Sequence, residues 1–249
     1  MKKTAISLFA FLCIHSVNAQ QFIDKAMIEF EVKSNIKKTM GDGAWAEMMK
    51  ENLPSFKIAY YQYSFSGTKS IFKLDHFDEK IKIPDYLKKD DEENQWYVDH
   101  NQRILDMKKN VVGSAFYVKD SLPAIQWKLT NEHMVIAGFN CRKAVGKIFD
   151  SVYVFVFYTD EIPISGGPCS ISGLPGMVLG MTIPRLFTSW IATKISITGV
   201  NEAAIKPTVS KKPFLQKEYK KLLSDRTKEW ENYYEDKSII NRFLWGALL

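Results

Sequence analysis

Short runs of alternating apolar and polar residues constrain the fold of this chain most strongly. Between Pro54 and about Ile197 such runs follow one another with few residues between them. The clearest set is Ala59, Tyr61, Tyr63 and Phe65, which are separated by more polar residues. A period of two residues is typical of a β-strand with one buried face. The short connections favour antiparallel neighbours over parallel strands joined by helices.

The pattern predicts an α+β fold, mainly β, built as a curved antiparallel meander sheet. A short N-terminal helix is expected around Trp45 to Asn52, and one long amphipathic helix is expected within the C-terminal helical segment 213–237. The predicted strands are residues 26–32, 59–65, 70–74, 95–99, 103–107, 114–118, 126–130, 133–137, 143–149, 152–158, 177–181 and 188–197.

The run from Val152 to Tyr158 is apolar at every position. Its valines share one face, and Tyr153, Phe155 and Phe157 share the other. A strand that is apolar on both faces must be covered on both, and a central strand in a filled core is the favoured explanation. Alternatively, the aromatic face lines a cavity on the concave side of the sheet. In that case the shape is similar, by analogy, to the half-barrel of LolA-like lipoprotein carriers, and the three aromatic residues face a ligand.

The N-terminus has the features of a secretory signal peptide. Lys2 and Lys3 precede the apolar stretch Ala5 to Ile14, and Val17, Asn18 and Ala19 form a small-residue cleavage site. The apolar stretch is too short to span a bilayer. Residues 1–19 are therefore predicted to be removed, which leaves residues 20–249 as a single exported domain without a transmembrane segment.

Signal removal leaves two cysteines, Cys141 and Cys169. An even number in an exported chain favours a disulfide between them, and two buried free thiols are the alternative. Neither cysteine has another Cys or a His beside it at ligand spacing, so no metal site is predicted.

The net charge of the full sequence is +6, and Lys and Glu are interleaved between Lys217 and Lys221. Interleaved charge on an exported chain argues against nucleic acid as a partner.

One motif resembles a known family. Residues 173–178 read Gly-Leu-Pro-Gly-Met-Val, and Gly167-Pro168 lies upstream. This segment resembles the signature of the GLPGLI family, secreted proteins of Bacteroidetes whose biochemical role is unassigned. The resemblance covers residues 126–182 well and implies a location in the periplasm or on the exterior of a Gram-negative, Bacteroidetes-type cell.

The chemistry of this motif indicates a turn. Pro175 suits the second position of a type II turn, and Gly176 would supply the positive φ that follows. Gly173 permits another special dihedral angle, whereas Leu174, Met177 and Val178 anchor the turn in apolar packing. A rigid structural corner is favoured, and the rim of a ligand mouth is the alternative.

Motifs of the common enzyme classes are missing from the sequence. The serines at 170 and 172 lack the first glycine of G-x-S-x-G, Gly41-Asp42-Gly43 lacks the third glycine of a dinucleotide loop, and no H-E-x-x-H occurs. The sequence therefore predicts a protein that is not an enzyme and has no cofactor.

Two functional hypotheses follow. The first is a binding, carrier or chaperone-like protein of the cell envelope for an apolar small molecule, lipid or peptide. The second is an envelope assembly factor that contacts a protein partner through its surface and its apolar C-terminal tail, Phe243 to Leu249. Docking of this tail on the body of the protein is the favoured structural alternative.

Overall fold

Eleven antiparallel strands form one open sheet in the computed structural model, which describes residues 23–42, 44–149, 151–210, 212–234 and 236–249. The predicted signal peptide lies outside these residues. The order across the sheet is β6-β5-β4-β3-β2-β1-β11-β10-β9-β8-β7. The strands are β1 (Lys25–Asn35), β2 (Phe56–Ser66), β3 (Lys69–Phe77), β4 (Gln95–Asp99), β5 (Ile104–Val111), β6 (Ser114–Ser121), β7 (Lys128–Ile136), β8 (Phe139–Ile148), β9 (Val152–Thr159), β10 (Met177–Ile183) and β11 (Thr188–Ser196).

Helices are few and short, which confirms the mainly β prediction. The α-helices are α1 (Ile36–Thr39), α2 (Ala44–Glu51), α3 (Lys89–Glu92), α4 (Gln216–Thr227) and α5 (Lys237–Leu248). Short 3₁₀ turns cover Asp85–Leu87, Pro184–Leu186, Glu202–Ala204 and Lys228–Asn232. Across the described residues, none of the helices has the length and apolarity needed to cross a bilayer.

The connection between β6 and β7 requires the sheet to curve. These strands lie at opposite ends of the sheet, which in a flat sheet would be about 48 Å apart. Residues 122–127, which join them, can span at most roughly 25 Å. The two ends must therefore approach each other, and the sheet acquires a concave face. The curved antiparallel sheet predicted from the sequence is confirmed.

The concave face carries the core. In β1 the alternate residues Ala26, Ile28 and Phe30 are fully buried, as the period-two pattern predicts. The inward side chains of the other strands join the same cluster, together with Tyr219 and Leu223 of α4. The helices therefore cover part of the concave face.

The structure covers one face of β9 and leaves the other partly open, so the expectation that both faces are covered is wrong. Val152, Val154 and Val156 are fully buried, whereas Tyr153 is 55% exposed. The aromatic face is shielded by cations instead: Lys147 lies 5.6 Å from the ring centre of Tyr153. Cation–π contacts and the apolar stems of lysine side chains let a sheet present aromatic rings near water.

Two predicted strands are one. Residues 126–130 and 133–137 were expected to form separate strands, but both belong largely to β7. Its pairing with β8 shifts register between Leu129 and His133. Such an irregularity interrupts the alternation in the sequence without ending the strand.

The C-terminal region is divided more finely than the expected long helix over 213–237. The helix α4 ends at Thr227, a 3₁₀ turn follows, and α5 begins after Asp236. The Asp236 carboxylate accepts a hydrogen bond from the backbone N–H of Ser238, at 2.8 Å, and so caps α5. The apolar tail Phe243 to Leu249 lies mostly in α5, with Ala247 and Leu249 buried on the body of the protein.

The Gly-Leu-Pro-Gly segment forms a tight corner, although the predicted type II turn is wrong. Gly173, not Gly176, has the positive φ, +95°. Gly176 is needed for space, because a Cβ there would lie 2.0 Å from the carbonyl oxygen of Thr159. Leu174 is 3% exposed, and Met177 and Val178 are fully buried, so the corner is anchored in the core as expected.

Candidate functional site

A cleft with a volume of about 610 Å³ lies between the concave face and the C-terminal helix α5. Its floor consists of inward residues of β1 to β5 and β11, and its far wall is formed by α5 and the segment before it. This volume lies in the range of small-molecule sites. The aromatic residues that line the cleft are Tyr61, Phe72, Tyr86, Trp96, Trp190, Trp230, Tyr234 and Phe243.

Lys109 on β5 places a cation on the floor of this cleft. It follows Leu105 and Met107 on the inward face of the strand, where the period of two predicts an apolar residue. The residue is 9% exposed, and its Nζ lies 4.8 Å from the centre of the Trp96 ring. Burial lowers the pKa of Lys109 from its ordinary value, with Cys169 and Asp91 acting in the opposite direction.

The two aspartate side chains that line the cleft are bound to other groups. Asp91 Oδ2 forms an ion pair with Lys57 Nζ. Asp90 accepts hydrogen bonds from the backbone N–H groups of Val112 and Gly113, at 2.9 and 3.0 Å. Among the described residues, no side chain forms a hydrogen bond or an ion pair with the Lys109 ammonium. Lys109 therefore retains donors that face the cleft.

Arg242 of α5 carries a second free donor. Its Nη1 donates to the carbonyl oxygen of Thr39 at 2.9 Å, and its guanidinium lies 4.9 Å from the Phe187 ring centre. Its Nε is buried without a hydrogen-bond partner in the described part of the chain. A buried donor without a partner is costly, so this Nε is an unsatisfied group in the wall of the cleft.

The predicted Cys141–Cys169 disulfide is wrong: both thiols are free and buried. Cys141 lies in β8 opposite Met134, and its thiol donates weakly to the carbonyl oxygen of Phe139 at 3.5 Å. Cys169 instead lines the cleft. The two side chains occupy different surroundings, and burial raises the pKa of Cys141 to about 11 and that of Cys169 to about 12. Both groups therefore remain neutral thiols near pH 7.

The residues predicted to face a ligand lie elsewhere. Tyr153, Phe155 and Phe157 are on the aromatic face of β9, and none of them lines the cleft formed by the described residues. Of the motif corner, Gly167 to Val178, the residue that reaches the cleft is Cys169. The corner therefore contributes one thiol to the lining of the cleft.

Two exposed tyrosines flank the cleft. Tyr86 is 60% exposed and Tyr234 is 38% exposed, whereas Tyr61 and Trp96 on the floor are buried. Amphipathic rings with accessible faces suit ligands that present both C–H and hydroxyl groups.

In the described residues, no group of three or more His, Cys, Asp or Glu side chains is placed to hold a metal ion.

Sequence reasoning missed the cleft because its walls come from distant segments. Lys109 and Arg242 are far apart in the chain, and no motif joins them. One local signal was present: a lysine two residues after Met107 and two before Val111 occupies an inward strand position. The predicted strand 103–107 stopped short of it.

Comparison with known proteins finds one matching family model and several similar solved structures. The family model described as N-glycanase peptide, N-terminal domain, matches residues 69–220. Among solved structures, PNGF-II in space group P21 aligns with a TM-score of 0.50 at 14% identity, over 77% of this chain and 32% of that chain. PNGF-II in space group C2 gives a TM-score of 0.49 at 14% identity, over 76% and 31%. An uncharacterized conserved protein from Thermus thermophilus gives 0.38 at 8% identity, over 78% and 90%. No curated protein matches.

These findings correct one prediction. The chain was predicted not to be an enzyme because catalytic motifs are missing, but the matching family is named for a glycanase and PNGF-II shares the fold. Motif absence is a weak argument, because function belongs to sites that short motifs do not always mark. The chain spans about a third of the length of the PNGF-II chains. Because the family model covers more than half of the sequence, the chain belongs to the family of N-glycanase N-terminal domains.

Proposed function

We propose that this chain serves glycan processing and that its cleft binds the carbohydrate part of N-linked glycopeptides. The family name points to N-glycans. The observation that carries the proposal is the cleft itself, which combines accessible aromatic rings with the unpaired ammonium of Lys109. Sugars offer apolar C–H faces and many oxygen acceptors, which match these two kinds of group.

A polar ligand suits this cleft better than the apolar ligand expected from the sequence. The apolar floor is accompanied by Lys109, Arg242 and the Lys57–Asp91 pair. Burying these groups against a lipid would leave donors unsatisfied, whereas sugar hydroxyl groups can accept from them. The docked position of α5 gives no support to a partner site on the C-terminal tail.

We also propose that the protein is exported and belongs to the GLPGLI family. The N-terminal residues 1–19 and the motif at residues 173–178 support this proposal. An envelope location, in the periplasm or on the cell exterior, would bring the cleft to extracellular or periplasmic glycopeptides.

The proposal is tested by calorimetric titration of the protein with an N-glycopeptide, the free glycan and the unglycosylated peptide. Glycopeptide and glycan should bind, and the peptide alone should not. The variants Tyr86→Ala and Tyr234→Ala should each weaken glycan binding about fivefold, because each removes one accessible ring from the mouth. The matched control is Tyr153→Ala, which removes a ring of similar exposure from β9.

Two results would contradict the proposal. One is the absence of glycan and glycopeptide binding by the folded protein. The other is equal weakening by Tyr153→Ala and by the two cleft variants, because binding would then not depend on the cleft. Release of glycan from the glycopeptide should be followed in the same samples, since the family is named for an N-glycanase.

A further inference from the structure

The floor of the cleft holds a cation that the protein itself does not neutralise. The Lys109 side chain is more than nine-tenths buried, lines the cleft and rests on the face of Trp96. The nearby carboxylates are engaged elsewhere, Asp91 with Lys57 and Asp90 with two backbone N–H groups. An ammonium on a largely buried side chain loses part of its hydration, and this one gains no hydrogen-bond acceptor from the described residues in exchange.

The lining of the cleft also includes Arg242 of α5, whose buried Nε has no hydrogen-bond partner in the described part of the chain. Two cationic side chains that line one cavity, Lys109 with its ammonium unpaired, favour an oxygen ligand with negative charge. Hydrogen bonds between ionised groups are shorter and stronger than those between neutral groups. A neutral sugar hydroxyl would satisfy the donors but would leave the charge of Lys109 uncompensated.

We propose that Lys109 forms an oxyanion subsite in the cleft and selects ligands that carry a carboxylate. This inference rests on the proposed glycan-binding function and specifies the ligand class. The carboxylate can belong to an acidic sugar of the glycan or to an acidic residue of the attached peptide. In both cases the Lys109 ammonium binds a carboxylate group.

The test compares matched ligand pairs by titration calorimetry. One pair is an N-glycan with terminal carboxylate sugars and the same glycan after their removal. A second pair is a neutral-glycan glycopeptide with Asp, or with Asn, beside the glycosylation site. The wild-type protein should prefer the acidic member of at least one pair about tenfold, and Lys109→Met should reduce the preference to less than about twofold. The pair that responds identifies the source of the carboxylate.

The matched control is Lys108→Met, which removes the same charge from the adjacent position of β5. Lys108 points to the other face of the strand and pairs with Glu93 at 2.6 Å. This variant should retain the acidic preference. An equal loss in both variants would mean that net charge, not the subsite, attracts the ligand, and would overturn the inference. Lys109→Gln provides a second variant if Lys109→Met does not fold.

A smaller probe separates this inference from the proposed function. Glucuronate and glucose differ at one carboxylate, and their binding can be followed by tryptophan fluorescence because Lys109 contacts Trp96. If no glycan or glycopeptide binds but glucuronate is preferred over glucose in a Lys109-dependent manner, the proposed function fails and the subsite stands. If no acidic ligand is preferred, or if the preference survives in Lys109→Met, the subsite is disproved.

Discussion

The two halves of the curved sheet use the concave face in different ways. Around β9 and β10 the face is filled: Val152, Val154, Val156 and Leu179 are fully buried. Around β1 to β5 the same face opens into a cleft that is lined by Lys57, Lys109 and Arg242. The recognisable sequence motif marks the filled half. The candidate site lies mainly in the half without a motif, so the most recognisable segment of this chain is not the one that forms most of the cleft.

The filled half should respond most strongly to added volume. In Gly176→Ala the new methyl group would overlap the backbone of Thr159, which cannot move aside as a flexible side chain would. We expect a loss of about 3 kcal/mol or more in the free energy of unfolding, measured by urea denaturation. Gly138→Ala is the control, because its Cβ would meet open space and the cost comes from its positive φ of +88° alone. Similar losses in both variants would show that the corner is not tightly packed.

The junction between the halves should be sensitive to acid. His100 Nε2 lies 2.9 Å from Ser70 Oγ and 3.4 Å from Tyr63 Oη, and the Ser165 backbone after β9 also faces the ring. Burial lowers the pKa of His100 from 6.5 to about 4. The unfolded chain therefore takes up a proton at a higher pH than the folded protein does.

This difference fixes the sign and the pH window of the effect. The contribution of neutral His100 to stability is complete above pH 6.5 and is lost as the pH falls from 6.5 through about 4, for a total of roughly 2–3 kcal/mol. Urea denaturation between pH 7 and 4 should show this loss in the wild-type protein and a smaller loss in His100→Gln. Parallel pH profiles for the two proteins would show that other groups cause the acid sensitivity.

In the open half, we expect a substitution of Lys109 to have the smallest effect on the free energy of unfolding and to stabilise the protein, whereas the changes above destabilise it. Lys109→Met shortens the side chain by one atom, keeps an apolar contact with Trp96 and removes the unpaired charge, so it should raise the free energy of unfolding by about 1 kcal/mol. Thermal unfolding of this variant beside Lys108→Met measures the change. A decrease in stability would indicate that the ammonium already has a compensating partner in the folded protein.

Local patterns predicted most of the sheet, and contacts between distant segments explain what they missed. The strand 95–99 was predicted with the bounds that β4 has, because alternation is a local property. The covering of β9 by lysines, the separation of Cys141 from Cys169 and the meeting of Lys109 with α5 depend on the three-dimensional arrangement of the sheet. A strand that is apolar on both faces can be shielded by neighbouring lysine stems, and sequence alone does not distinguish that case from full burial.

The central pairing of the sheet has a consequence for how the protein is made. Strand β1 pairs on one side with β2, which follows soon after it, and on the other side with β11, so that Met27 is opposite Ser196. During synthesis the first six strands can assemble before β11 has been synthesised. Until then, one edge of β1 remains unpaired. Pairing over such a separation is slow, and an uncovered edge attracts other chains. We therefore expect refolding to be limited by the closure of β1 on β11, and nascent chains that end before residue 188 to aggregate unless a chaperone protects that edge.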